Sequence, residues 1–107
     1  MNKYRNKKTT INGKTFSSKK EATRYTELAL LERAGSISGL RLQVVYILAP
    51  SVVIGGRKRP PLRYLADFEY WQTGVLIVED VKGRITDAYR IKRHLMKSVH
   101  GIDILET

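Results

Sequence analysis

The sequence predicts a mixed α/β domain, a central sheet flanked by helices. Three observations carry this. Two segments, Ser18 to Ala34 and Thr86 to Val99, repeat apolar residues at steps of three and four. The stretch between them, Leu42 to Lys82, is rich in β-branched and apolar residues and is broken by Gly- and Pro-containing turns. A length of 107 residues, 42% of them hydrophobic, supports a single domain spanning 1–107 with one core.

The first dozen residues are polar and read as a flexible basic arm, 1–12, ending in an Asn12-Gly13 turn. Thr10-Ile11 and Lys14-Thr15-Phe16 could form a short hairpin around that turn. The first helix follows, opened by Ser18-Lys19-Lys20-Glu21 with the spacing of a capping box. Ala22, Tyr25, Leu28, Ala29 and Leu31 or Glu32 follow its apolar face, and Gly35 stops it. Strands are expected at Leu42–Leu48, Ser51–Ile54, Arg63–Trp71 and Val75–Lys82. Gly55-Gly56 opens a basic loop, and Gln72-Thr73-Gly74 turns the last two strands into an antiparallel hairpin. A second helix starts near Thr86 or Asp87, buries Ala88, Ile91, Leu95 and Val99, and closes at Gly101. Ile102–Leu105 makes a short last strand.

The composition narrows the function. Twenty Lys and Arg against ten Asp and Glu leave a net charge of +10, which attracts a polyanion, nucleic acid first. The hydrophobic fraction is too high for a disordered basic tail. With no cysteine, disulfides, Cys-ligated zinc, iron–sulfur clusters and thiol nucleophiles are excluded. No apolar run suggests a membrane span or a secretory signal, so no membrane partner is expected.

Four of the ten acids, Asp67, Glu69, Glu79 and Asp80, lie in one short stretch. In a strand, Asp80 and Lys82 face one way and Val81 the other. Asp67, across the Gln72–Gly74 turn, can approach Asp80 from the neighbouring strand. Two carboxylates held together repel unless a cation sits between them, and oxygen ligands suit Mg²⁺ or Mn²⁺. A lysine beside such a site can steady charge on a phosphate or orient a water. On a strongly basic chain this set suggests phosphodiester hydrolysis.

Tyr64-Leu65-Ala66-Asp67-Phe68, then Asp80-Val81-Lys82-Gly83, resembles the PD-(D/E)XK nuclease superfamily. Its motif is an acid on one strand and acid, any residue, lysine on the next. Ser17 to Tyr25, with Glu21, matches the superfamily's upstream acidic helix, and Ala66 stands where the proline of the name would. The whole chain, including the Lys3–Lys8 opening, resembles a small phage and prophage family of such nucleases. The resemblance implies a restriction-endonuclease-like core and one or two Mg²⁺ or Mn²⁺ ions. Asp67, Asp80, the Val81 carbonyl and Glu21 would be the metal ligands, and Lys82 would contact the attacking water or the scissile phosphate. It further points to cleavage of branched DNA, as by a Holliday-junction resolvase, in the host-cell cytoplasm.

Lys7, Lys8, Lys19, Lys20, Arg57, Lys58, Arg59, Arg84, Arg90 and Arg93 are the candidate DNA contacts. No organic cofactor is expected, and cutting two strands calls for a symmetric homodimer. Plainer readings stand beside these. Glu21 could be only the N3 residue of its capping box, and Lys82 a surface partner of Asp80. Glu79, on the face opposite Lys82, is expected at the surface or in a dimer contact. Glu69 shares Asp67's face and is expected to be solvated, with an auxiliary ligand role as the alternative. A non-catalytic architectural DNA-binding protein on the same fold, or a nuclease nicking or trimming linear duplex, is the alternative function.

Overall fold

Ser18 starts the first helix as expected: its Oγ accepts the backbone N–H of Glu21 at 3.1 Å, closing one of the helix's free donors. The structure, a computed structural model, describes residues 8–107. Its elements run β1 (Thr9–Ile11), β2 (Lys14–Phe16), α1 (Lys19–Arg33), β3 (Ser38–Ala49), β4 (Val52–Ile54) and β5 (Arg57–Arg59). They continue through β6 (Leu62–Gln72), β7 (Val75–Asp80), α2 (Asp87–His100) and β8 (Leu105–Glu106). The predicted class holds: a mixed four-stranded sheet, ordered β3-β6-β7-β8 with β7 and β8 parallel, is packed by two helices.

The turns follow local chemistry. Asn12-Gly13 and Thr73-Gly74 both adopt positive φ at their two central positions, the I′ geometry that matches strand twist. Gly35, at φ +81, ends α1, with Ser36 N–H donating to the Leu31 carbonyl at 2.9 Å and Gly35 N–H to Glu32 at 3.0 Å. Thr86 caps α2 by accepting the Tyr89 N–H at 3.2 Å.

Each helix covers one face of the sheet. Ala22, Tyr25 and Leu28 of α1 pack with Phe16, Ile37, Phe68 and Tyr70. Tyr89 and Met96 of α2 pack with Leu48, Tyr64, Ala66 and Val78. These two clusters expose a feature that regular alternation does not predict. In β6, Tyr64 and Ala66 face α2, whereas Phe68 and Tyr70 face α1. A strand of strict period two cannot send 66 and 68 to opposite faces, so β6 changes phase at Asp67. Strand β3 breaks at the facing position. Leu42 packs under α1 and Tyr46 and Leu48 under α2, and between them Gln43 takes a left-handed φ of +54.

Several expectations need correction. The arm stops short of 12, because Thr9–Ile11 pairs with Lys14–Phe16; Lys7 and the rest of 1–7 lie outside the described residues. The basic loop after Gly55-Gly56 is the strand β5, paired with β4 in a separate hairpin whose six strand residues are all exposed. The β7 strand ends at Asp80, and the last strand is Leu105–Glu106, with Ile102 and Ile104 packing instead against the α2 cluster. The stripe that α2 buries is Tyr89 and Met96; Ala88 is exposed, as are Ile91 (60%) and Val99 (52%), and Leu95 is only partly buried. The cause is Tyr89, whose ring packs on Tyr64 and whose hydroxyl donates to Glu106 at 2.6 Å, turning the helix by one residue.

Candidate active site

Asp67 sits at the phase break of β6, one residue beyond the last paired position, Phe68↔Glu79. Continuing that register puts Asp80 opposite it. Asp67 Oδ2 accepts the Val81 backbone N–H at 2.9 Å, and its carboxyl group lies close enough to that of Asp80 to share a proton. Burial, the bond to Asp80 and the Asp80 charge push the Asp67 carboxyl up to about 8, with a smaller push from the charge of Glu21. The pair therefore holds a proton near neutrality unless a cation replaces it.

Asp80 is fixed from two sides. The Tyr64 hydroxyl donates to its Oδ2, and Lys82 Nζ lies 3.2 Å from the same oxygen. Burial, with the bond to Asp80, raises the Tyr64 phenol well above its ordinary range, so it remains a donor. The lysine ammonium also rests over the Tyr89 ring, 3.6 Å from its centroid. Although β7 ends at Asp80, the backbone around it stays laddered: Thr107 N–H donates to the Asp80 carbonyl at 3.0 Å, and Lys82 N–H to the Thr107 carbonyl at 2.9 Å. Asp80 and Lys82 thus share a side, as strand geometry predicts.

Glu21 is buried in the first turn of α1, where Ser17 Oγ donates to it at 3.3 Å and Gln43 Nε2 at 3.4 Å. It lines a 530 Å³ cleft together with Asp67, Gln43, Leu65 and Lys8. An adjoining 380 Å³ cleft is lined by Asp67, Asp80, Lys82, Tyr64, Tyr89 and Lys92. The backbone N–H of Glu21 is thus the one that Ser18 caps, while its carboxylate forms a wall of the site. Among the described residues, no three acidic or histidine side chains form a ready-made metal shell. The donors present nonetheless suit a hard divalent ion: they are oxygens only, and two of them are carboxyl groups already in contact.

The remaining acids have other tasks. Glu79 is not at the surface. It is fully buried on the α1 side, gripped by Arg24 Nε at 2.6 Å and Nη2 at 3.0 Å, and it accepts the Tyr70 hydroxyl at 2.7 Å. Opposite faces were the right reading, but α1 covers the second face and so removes Glu79 from solvent. Glu69 does not share Asp67's face, because the phase break turns it toward α2. There it accepts the Tyr46 hydroxyl and pairs with Arg41 at 3.2 Å.

The predicted DNA contacts divide into groups. Lys8 lines the Glu21–Asp67 cleft. Lys20 and Arg84 line a 480 Å³ cleft with Ser17, Ser18 and Lys82, and Lys20 Nζ donates to the Lys82 carbonyl at 2.7 Å. Lys19 joins Lys20 in a cleft on the flank of α1. Arg57, Lys58 and Arg59 form the exposed β5. Arg90 and Arg93 stand apart in a groove with Lys97 and Asp103, where Arg93 pairs with Glu106 at 2.9 Å. Sequence reasoning missed Lys92, Tyr64, Tyr89 and Gln43 as site residues. Lys92 follows Tyr89 by three residues on α2, a spacing that places both on one helix face. Gln43 carries no sequence signal for its left-handed backbone.

No helix among the described residues is long and apolar enough to cross a membrane. No curated protein and no solved structure matches the chain. A family model does match, over residues 1–102, and the chain accordingly belongs to the family described as Protein of unknown function (DUF1064).

Proposed function

We propose that this protein is a metal-dependent DNA endonuclease that hydrolyses phosphodiester bonds, with branched DNA as its preferred substrate. The observation that carries the reading is the contact between the Asp67 and Asp80 carboxyl groups, with Lys82 beside them in a basic cleft. A pair of like charges with one member buried and the other half-buried is costly to keep without a cation, and its neighbours are cationic groups suited to phosphate. The resemblance to PD-(D/E)XK nucleases supports the same assignment, as does the net charge of +10.

In this reading Asp67 and Asp80 hold Mg²⁺ or Mn²⁺, with Glu21 close by in the same cleft and the Val81 carbonyl as a further ligand. When bound, such an ion supplies Lewis acidity to the phosphoryl group. Tyr64 keeps one Asp80 oxygen oriented. Lys82 Nζ, held between Asp80 and the Tyr89 ring, donates to a phosphate oxygen or steadies the attacking water. Lys8, Lys20, Arg84 and Lys92 hold the backbone on either side, so binding weakens steeply with salt. Two cuts require two sites, which favours a homodimer acting in the cytoplasm of the host cell.

The test compares wild type with Asp80→Asn and Lys82→Ala on one labelled DNA in Mg²⁺ and in EDTA. Both variants should bind DNA in EDTA as wild type does, and should cut at least ~100-fold more slowly in Mg²⁺. Cutting by Asp80→Asn at the wild-type rate would remove the site assignment.

A further inference from the structure

The β4–β5 hairpin lies between β3 and β6 in the chain, forms a sheet of its own and is built as a rigid arm. Pro50 precedes it and Pro60-Pro61 follows it, restricting the backbone on both sides. Ser51 Oγ donates to the Arg59 carbonyl at 2.6 Å and clamps the base, while Gly55 and Gly56, both at positive φ, close the tip. Val52 pairs with Arg59, Val53 with Lys58 and Ile54 with Arg57, so each apolar side chain of β4 has a cation beside it. One face of the ribbon therefore carries Val52, Ile54, Arg57 and Arg59, and the other Val53 and Lys58. From residue 33 to residue 66 the chain has no acid. Among the described residues, none of Arg57, Lys58, Arg59 and Arg63 pairs with a carboxylate. The cations of α2 differ: Arg90 pairs with Asp87, Arg93 with Glu106 and Lys97 with Asp103.

We infer that the hairpin is an arm for double-stranded DNA, its two-arginine face entering the major groove of the duplex that flanks the candidate site. The inference rests on the proposed DNA substrate, and adds that this substrate is duplex on one side of the cut. The major groove, about 12 Å wide, admits a two-stranded ribbon, and the minor groove, about 6 Å wide, does not. There Arg57 and Arg59 reach base edges and phosphates, and Val52 and Ile54 pack on thymine methyl groups. The same mixture disfavours a protein partner, since a cation beside every apolar side chain leaves no uncharged centre for such a contact. The clamped base means that little freedom is lost on binding. The chain returns from the hairpin at Leu62, and β6 covers about 17 Å from there to Asp67, the length of about five base pairs. Arg63 and Leu65 share a face along that path, and Leu65 lines both clefts beside Asp67.

The test is fluorescence anisotropy of the full chain in EDTA, with a labelled duplex and a single strand of the same length. Arg57→Ala/Arg59→Ala should weaken duplex binding at least ~30-fold and single-strand binding less than ~5-fold, with the circular dichroism spectrum unchanged. Lys58→Ala, on the opposite face, should cost less than ~3-fold. A duplex carrying glucosylated 5-hydroxymethylcytosine, which crowds the major groove, should bind the wild type at least ~10-fold more weakly than plain duplex. An equal loss on duplex and single strand, an equal loss in Lys58→Ala, or indifference to glucosylation would each overturn the inference. A double variant that binds and cuts as wild type does would overturn it and leave the endonuclease. Duplex binding that depends on Arg57 and Arg59, with no cutting in Mg²⁺ or Mn²⁺, would refute the proposed function and leave this inference standing.

Discussion

The carboxyl groups of Asp67 and Asp80 stand together across two neighbouring strands, close enough to share a proton, and the Val81 N–H and the Tyr64 hydroxyl hold one member each. Such a pair is stable with one proton or one cation between its members and unstable with neither. This alternative makes the site sensitive to pH and metal together.

The sign of the pH effect follows. Asp67 titrates near 3.8 in the unfolded chain and near 8 in the metal-free fold, so between these values the folded state binds the extra proton. Stability is fully present below the lower value and is lost as pH rises toward 8. Thermal unfolding in EDTA should therefore show a lower Tm at pH 8 than at pH 5. Mg²⁺ should restore it more at pH 8 than at pH 5, and Asp67→Asn should flatten both responses. A Tm in EDTA that rises steadily from pH 5 to pH 8 would contradict this.

Arg24 and Glu79 tie α1 to the sheet through a bidentate pair whose acidic member has no solvent access. Arg24→Ala strands that carboxylate, with only the Tyr70 and Thr107 hydroxyls left to it. A cost of about 3–5 kcal/mol is expected in urea unfolding. The double variant Arg24→Met/Glu79→Leu should recover most of it, since an apolar pair carries no desolvation penalty.

Gln43 holds a left-handed backbone at φ +54, a conformation costing a non-glycine residue about 1–2 kcal/mol. Gln43→Gly should relieve that strain and leave Tm unchanged or higher. The same change removes the bond to Glu21 and should slow cutting. A large loss of stability in this variant would show that the bond matters more than the backbone.

Tyr64→Phe removes one hydroxyl and nothing else from the neighbourhood of Asp80. The expected stability loss is about 1 kcal/mol. Metal affinity or cutting should fall by about 10-fold, the usual effect of losing an outer partner of a ligand. Calorimetric titration with Mn²⁺ measures the first, and single-turnover cleavage the second.

Much of this was legible in the chain, and the exceptions share a cause. Caps, I′ turns and the acid–lysine spacing are local, so Ser18, Thr86, Thr73-Gly74 and Asp80–Lys82 could be read directly. Glu69 and Glu79 were misplaced because their surroundings are set by distant chain: the phase break at Asp67 for one, the Arg24 guanidinium for the other. The α2 stripe was misread because that helix has two apolar faces, and Tyr89 decides which one turns inward. Lys92 entered the site by the same rotation.

The most direct test of the central claim is cleavage of a labelled four-way junction, a matched linear duplex and a single strand, each in Mg²⁺ and in EDTA. Paired cuts in the junction that require the metal are the predicted result. Tight binding of all three with no cut in Mg²⁺ or Mn²⁺ would contradict the claim, and would leave the Asp67–Asp80 pair as part of a binding surface rather than a hydrolytic one.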